Sequence, residues 1–147
     1  MAVFSTDLYC GKGTNLDKKL GLGGNVVKSF VKLVEYHRPH EFYFDNFFTS
    51  VEILNHLSSL NIKATGTARQ NRTLKCPFTC DTVFKKEARG FFETYTANKV
   101  VLVKRNDTTS VIIGTNFDQI EPIKNTIRYS KGSKIDIYSN AKRCRQL

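Results

Sequence analysis

Asp45 is the residue whose type and setting most invite chemistry. It ends the aromatic run Glu41-Phe42-Tyr43-Phe44 and precedes Thr49-Ser50-Val51-Glu52, a capping-box sequence that opens an amphipathic helix. A carboxylate at a strand end, followed by a helix N-terminus, stands where open α/β sheets gather their functional groups. In a basic chain it suits metal-assisted phosphodiester chemistry, in which carboxylates hold two Mg²⁺ ions, one activating the attacking oxygen and one stabilising the leaving oxygen. One aspartate cannot hold both ions. The plainer expectation is that Asp45 caps the turn into the helix together with Asn46 and Thr49.

Other spacings exclude rival chemistries. Gly11-Lys12-Gly13-Thr14 lacks the glycine four residues earlier, and the Ser or Thr directly after Lys, that a phosphate loop requires. Gly21-Leu22-Gly23-Gly24 has Val26 where a dinucleotide fingerprint needs its third glycine. Of Cys10, Cys76, Cys80 and Cys144 only the middle two are close, and His37 and His40 make one further short pair, so no four-ligand zinc set is spelled out. Reduced thiols in a reducing compartment are expected instead. Asn71-Arg72-Thr73 and Asn106-Asp107-Thr108 match the glycosylation sequon but carry no meaning without secretion.

The 147 residues suit a single domain with its own core. No apolar run reaches the roughly 18 residues of a spanning helix, and the first residues do not read as a secretory signal. A soluble intracellular protein without membrane contact is expected. The net charge of +10 is unevenly spread. Residues 1–60 carry six basic and six acidic groups, 61–123 ten and six, and 124–147 seven and one. Such a field favours polyanions, of which nucleic acid is the commonest an intracellular protein meets, although a solvated basic face with no specific partner gives the same count.

Elements must hold Asp45 in place. Phe4 to Lys12 reads as a short strand entering a glycine-rich turn. Val26, Val27, Phe30, Val31 and Val34 form one stripe of a helix that Asn25 caps and Arg38-Pro39 stops near His37. Residues 41–45 read as a strand buried on both faces, because the run is continuously apolar. Ile53, Leu54, Leu57 and Leu60 mark a second helix closed by Asn61, and 62–67 the next strand. This order predicts parallel strands joined by helical crossovers. Residues 90–95, 100–104 and 110–114 are short β runs separated by Asn98 and Asn106-Asp107, hence an antiparallel meander. Residues 126–147 are basic and weakly patterned, and are expected to form a linker or frayed tail.

The ordered set Phe44-Asp45-Asn46-Phe47-Phe48-Thr49-Ser50, a leucine-rich helix, and Ala64-Thr65-Gly66-Thr67-Ala68-Arg69-Gln70-Asn71-Arg72 resembles the catalytic core of piggyBac-type transposases. Tyr9-Cys10-Gly11-Lys12, Gly21-Leu22-Gly23, Arg89-Gly90 and the hairpin from Lys104-Arg105-Asn106-Asp107 to Val111-Ile112-Ile113 extend the likeness over roughly residues 4–117. The hairpin departs from the family in having Arg105-Asn106-Asp107 where relatives show Trp-x-Asp.

The resemblance implies an α/β chain: a partial ribonuclease-H-like fold over 1–69, with an inserted antiparallel β-rich meander over 70–125 and a basic tail over 126–147. It implies cut-and-paste DNA transposition by a triad of aspartates with Mg²⁺, in the nucleus, by a protein that forms oligomers when full-length. Asp45 carries over as the second aspartate, catalytic and metal-binding. The first belongs on a strand before Phe4 and the third in a Gly-Gly-Val-Asp segment. Neither stands in this sequence, and Asp7 and Asp136 lie in the wrong contexts. No strand cleavage is therefore expected of this polypeptide alone. DNA contact is expected from Arg69 and Arg72, beside the Asp45 crevice, and from Lys104 and Arg105 on the same face. The rival expectation is a non-catalytic basic module that binds DNA or protein and is indifferent to Asp45.

Overall fold

The computed structural model describes residues 16–33 and 40–120, together with the backbone of strands at 126–130, 133–137 and 141–146. The expected strand at Phe4–Lys12 lies outside the described residues. Helix α1 spans Gly21–Val31, strand β1 Glu41–Phe44, helix α2 Val51–Ser59 and strand β2 Lys63–Ala68. A short helix α3, Asp81–Phe84, precedes β3 (Phe92–Ala97), β4 (Val100–Asn106) and β5 (Ser110–Thr115).

The crossover grammar holds: β1 and β2 are parallel, with Phe42 opposite Ala64 and Phe44 opposite Gly66. The meander holds as well, with β3, β4 and β5 paired antiparallel in sequence. Its last strand then pairs antiparallel with β2, Gly66 opposite Gly114, so the meander extends the sheet of the first unit edge to edge. Asn98 and Asn61 both take positive φ, the left-handed turn geometry that short polar side chains tolerate. Asn61 thus closes α2 and Asn98 reverses β3 into β4.

Helix α2 starts where Ser50, as N-cap, accepts the Ile53 N–H. Its apolar stripe of Ile53, Leu54 and Leu57 is fully buried against Ala64, Leu102 and Ile112 of the sheet and Val27 and Val31 of α1. Asn116, just past β5, binds three backbone groups at once: the Ala64 N–H and the carbonyls of Leu54 and Ile62. One side chain thereby ties the end of the meander to both ends of the α2–β2 connection.

Three expectations need correction. Helix α1 begins four residues before Asn25. That side chain is buried within the helix, accepting the Asp17 N–H and donating to the carbonyls of Asp17 and Gly21, while Val26 and Phe30 stay half-exposed. Among the described residues strand β1 stands at the edge of the sheet, with alternating exposure: Phe42 and Phe44 pack against the core, and Tyr43 is 70% exposed on the other face. A run of aromatics resembles a fully buried strand whichever face is wet. The supposed tail at 126–147 forms strands: β6 (Thr126–Ser130) pairs with β7 (Ser133–Ile137), and β8 (Ala141–Gln146) runs parallel to β3 at the far edge of the sheet. Apolar residues two apart at 127 and 129, and at 135 and 137, carried that hairpin signal beneath the charge.

Lys104 is fully buried. Its ammonium lies 2.7 Å from Asp81 Oδ1, donates to the Thr79 carbonyl at 2.6 Å, and stands 4.7 Å from the ring centre of Phe84. This clasp fastens α3 to the sheet. Hydrogen bonding from Lys104, and its charge, hold the Asp81 carboxyl below its usual range, with Ser110 adding a further donor. A folded pKa below the unfolded value means that the pair contributes fully above about pH 4 and fades as pH falls through the lower folded value. Lys104→Met keeps the stem between the rings but leaves Asp81 and the Thr79 carbonyl without their donor, and should lose about 1–3 kcal/mol at pH 7. It should also lack this share of the acid destabilisation seen below about pH 4. Lys104→Ala leaves a void and should lose about 2–4 kcal/mol. Urea denaturation of all three proteins across pH checks both outcomes.

Candidate nucleic-acid interface at the Asp45 turn

Beyond Phe44 the chain reverses through a tight turn. The Asp45 carbonyl accepts the N–H groups of Phe48 and Thr49, each at 3.1 Å, and the Thr49 hydroxyl at 2.9 Å. The Asp45 carboxylate caps the same turn, Oδ1 accepting the Phe47 N–H at 2.7 Å. The plainer expectation for Asp45 is therefore realised. Capping occupies one oxygen; the side chain is exposed, and Oδ2 makes no hydrogen bond among the described residues.

Two glycines let the turn sit this close to its neighbours. A Cβ on Gly66 would overlap the Thr49 hydroxyl and stand 2.7 Å from the Phe44 carbonyl oxygen. A Cβ on Gly23 of α1 would overlap the Phe47 carbonyl and stand 3.1 Å from Phe48 Cα. The turn is thus gripped between β2 and α1, with Thr49 fully buried at its base.

Both predicted arginines reach this turn. Arg69 follows β2 directly and its Nε donates to Asn46 Oδ1 at 3.1 Å. A single turn of 3₁₀ helix, Gln70–Arg72, then brings Arg72 back, so that its Nη1 donates to the Phe47 carbonyl and its guanidinium lies 5.6 Å from the Phe47 ring centre. Each guanidinium has five N–H donors, and these bonds leave several for a ligand. Arg105 is half-buried. The register Ala68 to Ile112 to Lys104 puts it one row further on, at the same end of the sheet as Arg69 with β5 between them. Lys104 is the correction: buried and paired with Asp81 on the opposite face of β4, it has no path to a phosphate.

The turn therefore assembles one available carboxylate oxygen and two guanidinium groups. Among the described residues no group of three His, Cys, Asp or Glu side chains could hold a metal ion. These residues do not build a two-ion centre, whereas planar guanidinium donors at a strand end suit phosphate oxygens. Asn46 and Phe47, which hold the arginines, and Gly23 and Gly66, which seat the turn, were not assigned these tasks by spacing alone. Their only trace is small residues facing an aromatic turn, a pattern shared with ordinary packing. Gly66→Ala should lower stability by about 1–3 kcal/mol through overpacking and shift the amide resonances of Phe47, Phe48 and Thr49; urea melts and amide NMR spectra report the two effects.

A family model described as Transposase IS4 matches residues 2–145. PiggyBac transposable element-derived protein 2 of Homo sapiens is 34% identical over 125 residues, covering 82% of this chain and 21% of that protein. PiggyBac transposable element-derived protein 3 of Homo sapiens is 34% identical over 130 residues, covering 86% and 22%. The chain thus spans about a fifth of the length of these curated relatives. Among solved structures, a piggyBac transposase synaptic complex with hairpin DNA superposes with a TM-score of 0.62 at 24% identity, over 79% of this chain and 24% of that one, and so shares its fold. By sequence and by fold, the chain belongs to the piggyBac-type transposase family.

Proposed function

We propose that the chain forms part of a ribonuclease-H-like core for DNA strand transfer, and that its own contribution is to hold DNA phosphates beside Asp45. The observation that carries this reading is the convergence of Arg69 and Arg72 on the Asp45–Phe47 turn at the end of β1. Arg105 continues the basic rim along the same end of the sheet. The DNA-bound state of the solved relative supports the substrate class.

The family generally uses a divalent metal. In this reading Asp45 is the residue through which the chain would touch Mg²⁺, with one oxygen to give. The described residues do not complete a cage, so no cleavage step is assigned to this polypeptide by itself. Nuclear residence and oligomeric assembly belong to the same reading, supported by the family and by the excess of basic side chains.

Anisotropy titrations of labelled duplex DNA against salt test the proposal. Arg69→Gln and Arg72→Gln should each weaken binding and lower the log–log salt slope by about 0.9, the value of one released phosphate contact. Asp45→Asn in EDTA should bind more tightly than wild type, because a negative charge has left the rim. Wild-type affinity and slope in both arginine variants would remove the phosphate rim. Indifference to Asp45→Asn, with or without Mg²⁺, would favour a plain basic binding module, and nicking of DNA by wild type in Mg²⁺ would overturn the inactive assignment.

A further inference from the structure

In the function just proposed Phe47 serves only to hold Arg72, yet it is itself partly exposed at the turn. Its neighbour Phe48 packs onto the core, whereas Phe47 is 38% exposed. Phe48 meets it edge-on at 5.2 Å and 87°, and the Arg72 guanidinium lies against it at 5.6 Å. Its backbone is fixed at both polar atoms, the N–H by the Asp45 carboxylate and the carbonyl by Arg72, with Gly23 pressed against that carbonyl. An aromatic ring held this firmly and still turned to water gains little as a core residue. Asn46, the residue before it, holds Arg69, and Arg72 lies against the ring, so a partly exposed aromatic surface stands beside both guanidinium groups.

We infer that Phe47 is a stacking platform for an unpaired nucleobase, with Arg69 and Arg72 engaging the phosphates on either side of it. This rests on the DNA-binding reading above and names the form of DNA the site takes. Within a duplex both faces of each base are already stacked, so only an unpaired or extruded base offers a free face to the ring. Every base has such a face, and the contact therefore selects strand state over sequence. Guanidinium groups beside an aromatic ring also suit the two kinds of group a single strand exposes, phosphates and splayed bases.

The chain contains no tryptophan, so Phe47→Trp places a single fluorescent reporter at the platform. Binding of about 20 nucleotides of labelled oligothymidylate, and of a blunt duplex of equal length, is measured for wild type, Phe47→Leu and Phe47→Trp. Phe47→Leu should lose about 5- to 150-fold in single-strand affinity, the range expected for one stacked base, with duplex affinity unchanged. Phe47→Trp should keep single-strand affinity and be quenched by the single strand but not by the duplex. Equal losses on both DNAs, no loss at all, or an unquenched tryptophan would overturn the platform while leaving the phosphate rim intact. Wild type that binds neither DNA would remove the rim and the platform together. If Phe47→Leu does not fold, as judged by circular dichroism, the quenching of Phe47→Trp decides.

Discussion

The close approach of the Asp45 turn to Gly66 is the constraint on which the site depends. Phe44 and Gly66 are opposite each other in the parallel pair, and the space left by the missing side chain admits both the Phe44 carbonyl and the buried Thr49 hydroxyl. That hydroxyl holds the Asp45 carbonyl, which in turn accepts the two N–H groups that lead into α2. The direction of β1, the start of α2 and the aim of the carboxylate are therefore set by one contact. Strand β2, which carries Gly66, supplies Arg69 one residue past its end.

Much of this was legible in the residues themselves. The α2 stripe, its closure at Asn61, the parallel crossover and the order of the meander follow from period, caps and turn residues. The segment from Asp45 to Ser50 with Thr65-Gly66-Thr67 pointed to the family. The losses share a physical origin: period and composition describe faces, and they do not say which face is covered. Asn25 reads as a cap until Asp17 is seen folded back onto it. Tyr43 reads as core until one face of β1 proves to be exposed. Lys104 reads as a surface cation because the aromatic pocket that surrounds it comes from residues twenty and more positions earlier in the chain.

The contrast between Lys104 and the two arginines shows how position decides what a positive charge does. Lys104 spends its charge within the fold, on Asp81 and a carbonyl, between two phenyl rings. Arg69 and Arg72 each make one bond that orients the guanidinium and leave the other donors outward. A net charge summed over the chain cannot separate these two uses. Arg89 illustrates a third, its charge met at 2.7 Å by Asp107 in the neighbouring β4–β5 turn.

The pairing of β2 with β5 has a consequence for how the molecule assembles. Thr65 and Thr115 are fifty residues apart in the chain, whereas each hairpin of the meander closes over only a few. Loop-closure entropy grows with the length enclosed, so the hairpins can form early, and the seam between β2 and β5 must wait for a costly long-range encounter. The Asp45 turn lies on the β2 side of that seam. Helix α2, which follows the Asp45 turn, is buried against Leu102 and Ile112 on the far side of that seam, so the setting of the turn is complete only once the two parts of the sheet have joined.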